Sequence, residues 1–287
     1  MHELDQKLLR KACDQIAPAY NSNDFFCAET RARLLERLDL VSLTPNTILD
    51  LGAGTGLAVS PLQARFKDAD IIKLDWSAAM LTALQSRTSN LHTVCADAHQ
   101  LPIADASIDI VISNMLLPGC ANPEQVFHEV YRVLRKPGLF LFNTLGPDSF
   151  KELRKAWAQV DKYPHVHTFA DMHNIGDSLV QAGFQEPVMD VERLTVTYGK
   201  SERLMDDLRS IAATNLLQNR RRGLTPPVLW QNMLGKLEQT RDTNNQLPVT
   251  LEVITGQAWV GKAKVGVAMH RGEAHFPVTD ISTRRKS

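Results

Sequence analysis

The sequence contains no apolar run that approaches the roughly 20 residues needed to span a membrane. Its N-terminus, Met1–Asp5, is charged and leads into no apolar segment, so we predict no secretory signal. None of its four cysteines forms a C-x-x-C pair, which disfavours a zinc site or a disulfide framework and fits a reducing cytoplasm. We therefore expect a cytoplasmic protein with no metal site and no membrane segment.

A surplus of either charge sign is also missing. The 287 residues include 32 basic and 32 acidic side chains, so the formal net charge is zero. This balance disfavours a nucleic-acid partner, although it is compatible with a local basic patch. The composition is 44% hydrophobic and 22% charged, which is ordinary for a globular protein of one large or two small domains.

The most informative segment is a predicted strand that runs into a glycine-rich turn, Ile48–Gly56. The apolar strand contains Asp50, and three glycines then occupy alternate positions, Gly52, Gly54 and Gly56. Glycine tolerates positive φ and lets the backbone approach a ligand closely, and the start of a following helix favours a polar or anionic group. The spacing differs from the G-x-G-x-x-G of dinucleotide sites, and no Lys-Ser or Lys-Thr follows as in a P-loop.

Strands and helices alternate after this turn. The predicted strands are residues 48–51, 71–74, 93–96, 108–113 and 139–142. Helices lie between them, and one that starts at Pro123 is expected to reach the stop signal Lys136–Gly138. Two more helices are predicted over residues 3–17 and 28–40. Such alternation predicts a parallel sheet covered on both faces, and ligands of these sheets bind beyond the carboxyl ends of the strands.

Polar side chains stand at these strand ends. Asp50, Asp75 and Asp97 belong to the first three strands, and Asn114 ends the fourth. An acid at the position of Asp75 suits ribose hydroxyls, and Asp97, followed by Ala98, can accept from an exocyclic amine such as that of adenine. The glycine loop has no Arg or Lys that would bind a pyrophosphate. The pattern therefore predicts a nucleoside ligand without a pyrophosphate.

These motifs, together with Arg132–Gly138, resemble those of class I S-adenosylmethionine-dependent methyltransferases over about residues 45–145. The resemblance implies a Rossmann-like α/β fold, with a seven-stranded, mostly parallel sheet, helices on both faces and an antiparallel last strand. It implies S-adenosylmethionine as cofactor, with Asp75 on its ribose, Asp97 at its adenine and Tyr20 closing the pocket. The predicted cofactor site comprises Tyr20, Asp50, Gly52, Ala53, Gly54, Gly56, Asp75, Trp76, Asp97, Ala98, Asn114 and Met115.

The second half continues with two predicted helices and two predicted strands. Capping boxes at Ser149–Glu152 and Thr168–Asp171 are expected to open the helices. The apolar residues of Val188–Tyr198 and Val249–Val260 alternate, as in half-buried strands, and these strands are expected to complete the sheet as an antiparallel pair.

The segment between these two strands, residues 199–248, is too long for a hairpin loop. Helices are predicted over residues 201–217 and 225–241, and we interpret them as a lid over the substrate pocket. Basic residues outnumber acidic ones here and include the triplet Arg220–Arg222, which favours an acidic partner.

We expect a single methyltransferase domain over residues 1–260, followed by a basic C-terminal tail, 261–287. The domain would comprise an N-terminal helical segment (1–44), a core (45–198), the helical lid insertion (199–248) and the last strand (249–260). No oligomeric state is predicted.

Several second-half segments resemble a narrower group, the malonyl-acyl-carrier-protein O-methyltransferases of biotin synthesis. These segments are residues 143–149, 164–167, 169–173, 204–209, 220–225 and 247–253. The resemblance spans most of residues 5–260 and implies methylation of the free carboxylate of a malonyl thioester on acyl carrier protein, or on coenzyme A. Carrier proteins are acidic, which would match the basic insertion. Many members carry an aromatic residue shortly after the fourth-strand Asn, where this sequence reads Met115–Cys120.

A malonyl carboxylate needs no general base, because simple carboxylic acids titrate near pH ~4 and are ionised at neutral pH. The planar fork of an arginine suits a carboxylate, which makes Arg209 the main substrate-binding candidate. His165 and His167, and then His173, are weaker candidates. Two alternatives stay open: an assembly factor or protein hydroxylase on the same fold, resembling the arginine-hydroxylating assembly factor of mitochondrial complex I, and a small-molecule carboxyl methyltransferase.

Overall fold

The computed structural model describes residues 4–83, 91–261, 269–270 and 273–274, so most of the predicted tail, 261–287, lies outside it. The strands are β1 (Thr47–Leu51), β2 (Asp70–Asp75), β3 (Leu91–Cys95), β4 (Ile108–Asn114), β5 (Leu134–Leu145), β6 (Gln185–Tyr198), β7 (Leu247–Val260), β8 (Met269–His270) and β9 (Glu273–Ala274). The α-helices are α1 (Gln6–Ile16), α2 (Phe25–Glu36), α3 (Val59–Arg65), α4 (Ala78–Ala83), α5 (Pro123–Val133), α6 (Lys151–Ala158), α7 (Met172–Gln181), α8 (Ser201–Ser210) and α9 (Pro227–Glu238). Short 3-10 helices cover Ala17–Ser22, Arg37–Leu40 and Leu117–Gly119. Within the described ranges, no helix has the length and apolar character that crossing a membrane requires.

One sheet organises the fold, with strand order β3-β2-β1-β4-β5-β7-β6, while β8 and β9 pair only with each other. In this sheet β7 runs antiparallel to both β5 and β6, and the other neighbours pair in parallel. The predicted seven-stranded, mostly parallel sheet is therefore confirmed. Strand β1 lies between β2 and β4, so the strand order reverses beside it, and ligands of open α/β sheets bind at such a point.

Helices cover both faces of the sheet, which explains the nearly unbroken apolar runs in its central strands. On one face, Phe127 of α5 packs against Phe140 and Phe142 of β5, with α7 alongside. On the other face, Leu34 of α2 and Leu62 of α3 pack against β1 and β4. Because these strands are buried over nearly their whole length, they hold the residues at their carboxyl ends in fixed positions.

The insertion between β6 and β7 packs on α6 in an apolar cluster of its own. The buried members include Trp157, Leu204, Met233, Leu237 and Leu247. The insertion is also tied to the N-terminal segment, because the Asp5 backbone N–H donates to the Leu216 carbonyl at 2.8 Å and Leu4 bridges Leu217. Residues distant in sequence thereby close one side of the molecule.

Helix α5 ends earlier than predicted. It stops at Val133, and Leu134 already pairs with Ile108 as the first residue of β5, so the stop signal Lys136–Gly138 lies inside a strand. The side chain of Leu134 is buried in the same core as those of the helix. Leu134 therefore belongs to the sheet, although its apolar side chain continues the sequence pattern of the helix.

The capping box predicted at Ser149–Glu152 is wrong. The residue before α6 is Phe150, in a left-handed conformation with φ of 56°, and it makes no side-chain cap. The Ser149 hydroxyl instead donates to the Glu252 carbonyl (3.1 Å) and accepts from the Glu252 N–H (3.0 Å), and the Glu152 carboxylate accepts from the N–H and hydroxyl of Thr250. Both side chains bind β7 at residues before Val253, where the pairing with β5 ends and backbone groups of β7 lack a strand partner on that side.

Other helix boundaries also differ from prediction, among them those of α2 (Phe25–Glu36 against 28–40) and α9 (Pro227–Glu238 against 225–241). Helix α7 is capped by Asp171, whose carboxylate accepts from the Asn174 N–H at 2.9 Å, and Thr168 lies before the cap. Helix α8 ends at Ser210, short of the predicted residue 217, and Leu217 instead forms a β-bridge with Leu4 of the N-terminal segment.

Candidate active site

A cavity of about 330 Å³ opens at the carboxyl ends of β1 to β4, where the strand order reverses. Its volume lies within the roughly 300–1,000 Å³ of small-molecule sites. The sheet contributes to the lining Gly52, Gly54, Asp75, Trp76, Asp97, Ala98, Asn114 and Met115. The N-terminal segment, the stretch after α6 and the insertion provide the remaining walls.

The glycine turn forms the floor beside β1. Gly52, Gly54 and Gly56 all have positive φ, at 75°, 54° and 85°, a region that costs other residues strain. The N–H groups of Gly52 and Ala53 both donate to the Leu74 carbonyl. A Cβ on Gly56 would lie 2.7 Å from Lys73 Cδ, whereas one on Gly54 would meet nothing within 4 Å. The absence of a Cβ at Gly56 therefore allows Lys73 to pack closely against the turn, whereas Gly54 leaves open space for a ligand.

Asp75 fixes the turn and faces the cavity. Its Oδ2 accepts from the Gly54 N–H and its Oδ1 from the Ser77 N–H, both at 2.9 Å. Each oxygen of an ionised carboxylate retains further acceptor capacity. Burial raises the pKa of Asp75 above its usual value, and the two backbone N–H groups oppose that rise. The side chain is placed to accept hydrogen bonds from a vicinal diol, as a ribose offers.

Asp97 and Ala98 form the neighbouring part of the rim, together with His99, which the sequence reasoning missed. Asp97 Oδ1 accepts from the His99 N–H (2.9 Å) and lies 2.6 Å from His99 Nδ1. Although partial burial opposes the change, the hydrogen bonds from His99 hold the pKa of Asp97 below its usual value. His99 Nε2 accepts from the Asn122 N–H, which leaves Nδ1 as the donor to Asp97.

Asp50 is buried behind the glycine turn and does not belong to the described cavity lining. Its Oδ2 has no hydrogen-bond partner within the described ranges. Burial, followed by the charge of Asp75, raises the pKa of Asp50 to about 7, and Arg31 and Lys73 oppose the rise. Because Asp50 Oδ2 is a buried acceptor without a hydrogen-bond donor in the described part of the structure, it favours a cationic ligand group bound against the glycine turn.

The raised pKa of Asp50 predicts a pH dependence of stability. Between about pH 4 and pH 7 the folded chain keeps a proton that the unfolded chain has lost, so stability falls as pH rises through this window. The loss is on the order of 4 kcal/mol, at about 1.4 kcal/mol per pKa unit. The Asp50→Asn variant has no titrating group at this position. In urea unfolding, its free energy of unfolding relative to that of wild type should therefore increase from pH 5 to pH 8. A constant difference between the two proteins would contradict the shift.

A buried amide network supports the wall beside β4. Asn143 donates to the Thr30 carbonyl (3.0 Å) and to Asn114 Oδ1 (2.8 Å), and its own oxygen accepts from the Met115 N–H (2.9 Å). Asn114 donates in turn to the Cys27 carbonyl. Met115 has φ of 58°, so the network holds a left-handed backbone at the cavity.

The N-terminal segment covers the glycine turn. The Thr55 hydroxyl donates to Asn21 Oδ1 at 2.6 Å, and the neighbouring Tyr20 lines the cavity. Burial raises the pKa of Tyr20 far above its usual value, so the phenol stays protonated. Tyr20 thus lies on the cavity, and its role in closing a cofactor pocket stays a prediction, while Asn21 and Thr55 were not singled out from the sequence.

The opposite end of the cavity is apolar and carries two histidines. The His165 ring stacks on Trp157 at 3.6 Å, and its Nε2 lies 2.9 Å from Asp161 Oδ1. His167 packs edge-on against Phe169, with ring centroids 5.1 Å apart, and both residues line the cavity. Residues 165–169 are held in place because Arg154 Nη2 donates to the His167 carbonyl.

Not every predicted site residue reaches the cavity. Asp50, Ala53 and Gly56 lie behind the described lining. Arg209, the main substrate-binding candidate, is exposed on α8 and donates to Asp206 at 2.8 Å, and His173 is exposed on α7. The described lining contains no Arg or Lys, so the predicted placement of Arg209 in the pocket is corrected. The reason is helical phase, because Leu208 and Ile211 occupy the inward face of that segment.

The YcgJ protein from Bacillus subtilis has a similar fold, with a TM-score of 0.59 at 15% identity over 82% of this chain and 100% of that one. A methyltransferase-domain family model matches residues 49–142. Fold and site together define a class I, S-adenosylmethionine-dependent methyltransferase. The malonyl-[acyl-carrier protein] O-methyltransferase of Methylovorus sp. is 42% identical over 92% of both chains, and that of Coxiella burnetii 40% identical over 98% of both. The chain belongs to the malonyl-[acyl-carrier protein] O-methyltransferase family.

Proposed function

We propose that this chain transfers a methyl group from S-adenosylmethionine to the free carboxylate of the malonyl group on acyl carrier protein. The observation that carries the proposal is a cavity with two unlike ends. One end presents carboxylates and an open glycine turn to a nucleoside, and the other is apolar with His165 and His167. Family membership supports this substrate over a protein hydroxylase or a small free acid.

The residues at the polar end fit S-adenosylmethionine. We assign Asp75 to the ribose hydroxyls and the Asp97–His99 segment to the adenine, because these residues line the polar end of the cavity. The glycine turn, with the buried Asp50 oxygen behind it, suits the charged methionine part. When bound, the cofactor supplies an electrophilic methyl group on a sulfonium sulfur.

The chemistry requires positioning rather than proton transfer. The acceptor carboxylate is ionised at neutral pH, because such acids titrate near pH ~4. The bound cofactor would supply the methyl group to a carboxylate oxygen, and its sulfur would keep the electron pair of the broken carbon–sulfur bond. The products are a methyl ester and S-adenosylhomocysteine, and no proton moves. The chain contributes by holding the two reactants in line and by excluding water.

His167 is our candidate for binding the substrate carboxylate, because it lines the apolar end of the cavity and the hydrogen bond from Arg154 to its carbonyl fixes its backbone there. A hydrogen bond to a charged group contributes about 1.5–3 kcal/mol, so His167→Ala should raise the KM for the malonyl thioester about 10- to 100-fold. The Kd for S-adenosylmethionine should not change, and His167→Gln should restore part of the loss. His173→Ala, on the exposed face of α7, is the matched control. An unchanged KM in His167→Ala would remove the assignment.

Mass spectrometry of malonyl acyl carrier protein incubated with the chain and S-adenosylmethionine tests the function. We expect the malonyl group to gain one methyl group, and acetyl carrier protein, which lacks the free carboxylate, to gain none. Methylation of a free acid instead, with none on the carrier protein, would support a small-molecule enzyme.

We place this reaction in the cytoplasm, at an early step of biotin synthesis. We also propose that residues 1–260 act as one domain in which 199–248 is the lid. Leu208, Ile211 and Leu216 of that insertion line the cavity beside the N-terminal α1, which supports the lid role. Rescue of a biotin-requiring strain by the gene tests the cellular role.

A further inference from the structure

We propose that residues 218–228, which follow α8 and include the first two residues of α9 (here the arginine loop), form the docking surface for the acidic face of the carrier protein. This inference rests on the proposed function, because it names the protein surface that presents the malonyl thioester to the cavity. Three independent features of the loop support it: its charge, its position and its exposed apolar side chains.

The charge of the loop is positive and is not neutralised locally. No Asp or Glu occurs between Asp207 and Glu238, while the segment contains Arg220, Arg221 and Arg222. In the part of the chain that the structure describes, none of these three guanidinium groups forms an ion pair with a carboxylate. Unpaired cations on one surface attract an acidic partner and accelerate its association.

The loop lies beside the acceptor end of the cavity. Arg220 Nη1 donates to the Leu217 carbonyl at 2.7 Å, one residue after the cavity-lining Leu216. The Arg221 guanidinium lies over the Tyr163 ring, 5.5 Å from its centroid, two residues before His165. A partner bound here would therefore be placed at the entrance used by the substrate carboxylate.

The exposed apolar side chains of the loop indicate a protein partner rather than a free anion. Leu224 is 96% exposed and Val228 is 68% exposed, among the most exposed large apolar residues in the described ranges. Tyr163 below the loop is also exposed. Apolar residues within a basic rim match a protein face that carries acids around an apolar centre. A carrier protein that delivers a thioester has the acidic charge that this surface requires.

Titration calorimetry with holo acyl carrier protein tests the surface independently of catalysis. Arg222→Glu with Leu224→Asp changes two exposed side chains and leaves Arg220 and Arg221 in place. We expect Kd for the carrier protein to rise at least about 10-fold, and the wild-type Kd to weaken with added salt. The matched control is Lys67→Glu with Leu40→Asp, two exposed residues at the amino ends of β1 and β2, which should bind as wild type.

Kinetics separate a failed surface from a failed function. The double variant should lose kcat/KM on malonyl carrier protein but retain that on malonyl-pantetheine, which has no protein to dock. If wild type methylates malonyl carrier protein and the double variant does so equally well, the surface assignment is wrong and the function stands. If wild type methylates no malonyl thioester, the proposed function is wrong. Calorimetry then still tests the docking surface: equal Kd values for wild type and the double variant, or no binding by wild type, would contradict it.

Discussion

Asp75→Ala is expected to weaken S-adenosylmethionine binding about 100- to 10,000-fold. The change removes a carboxylate that is placed to accept from two ribose hydroxyls, and hydrogen bonds to a charged group contribute about 1.5–3 kcal/mol each. It also leaves the Gly54 and Ser77 N–H groups without their acceptor, which loosens the glycine turn. Titration calorimetry with the cofactor measures the effect.

The control for this change lies on the same strand. Asp70→Ala alters an exposed acid at the other end of β2, away from the cavity, and should leave cofactor affinity unchanged. Asp75→Asn keeps the shape and one acceptor oxygen, so its affinity should be intermediate. Equal affinities of Asp75→Ala and Asp70→Ala would show that Asp75 is not a cofactor residue.

Asn143→Leu is expected to lower the free energy of unfolding by about 4 kcal/mol. The substitution leaves the buried Met115 N–H without its acceptor and removes one donor each from the Thr30 carbonyl and Asn114 Oδ1. An unsatisfied buried group costs about 1–3 kcal/mol, and each lost hydrogen bond about 1 kcal/mol. Met115 should also lose its fixed position at the cavity. Urea unfolding, monitored by circular dichroism, measures the change.

Ser113→Ala provides the matched comparison on the adjacent strand β4. Ser113 is also fully buried, but its hydroxyl has no hydrogen-bond partner in the described part of the structure. Removing it should change stability by less than about 1 kcal/mol, since no partner is left unsatisfied. If Ser113→Ala costs as much as Asn143→Leu, the amide network has no special role.

The sheet and the cofactor end of the cavity could be predicted because their signals are local. Strands buried on both faces read as apolar runs, and a parallel sheet places Asp75 and Asp97 at one edge wherever the helices lie. The positive φ values of Gly52, Gly54 and Gly56 follow from the same local pattern. Only chain order and residue type were needed for these features.

The amide network could not be predicted, because its partners are far apart in sequence. Asn143 bonds Thr30, 113 residues earlier, and Asn114, 29 residues earlier. The only local signal was a polar residue within an apolar strand. Ser149 likewise matched a helix cap but bonds Glu252, 103 residues later, because tertiary partners competed with the local one.

The substrate end was harder to predict than the cofactor end. A short helical insertion does not reveal which of its faces meets the cavity, so Arg209 was expected inside and lies outside, paired with Asp206. His165 and His167 both line the cavity, and their part in binding the carboxylate stays a prediction. The stacking of His165 on Trp157, which distinguishes the two histidines, is visible only in the three-dimensional structure.

The most direct measurement of the central claim is a competition for methyl groups. Equal amounts of malonyl carrier protein, malonyl-coenzyme A and free malonate are mixed with the chain and S-adenosylmethionine labelled on its methyl group. We predict that the label appears first, and as a methyl ester, on the malonyl group of the carrier protein. Label on free malonate alone, or on none of the three, would contradict the account.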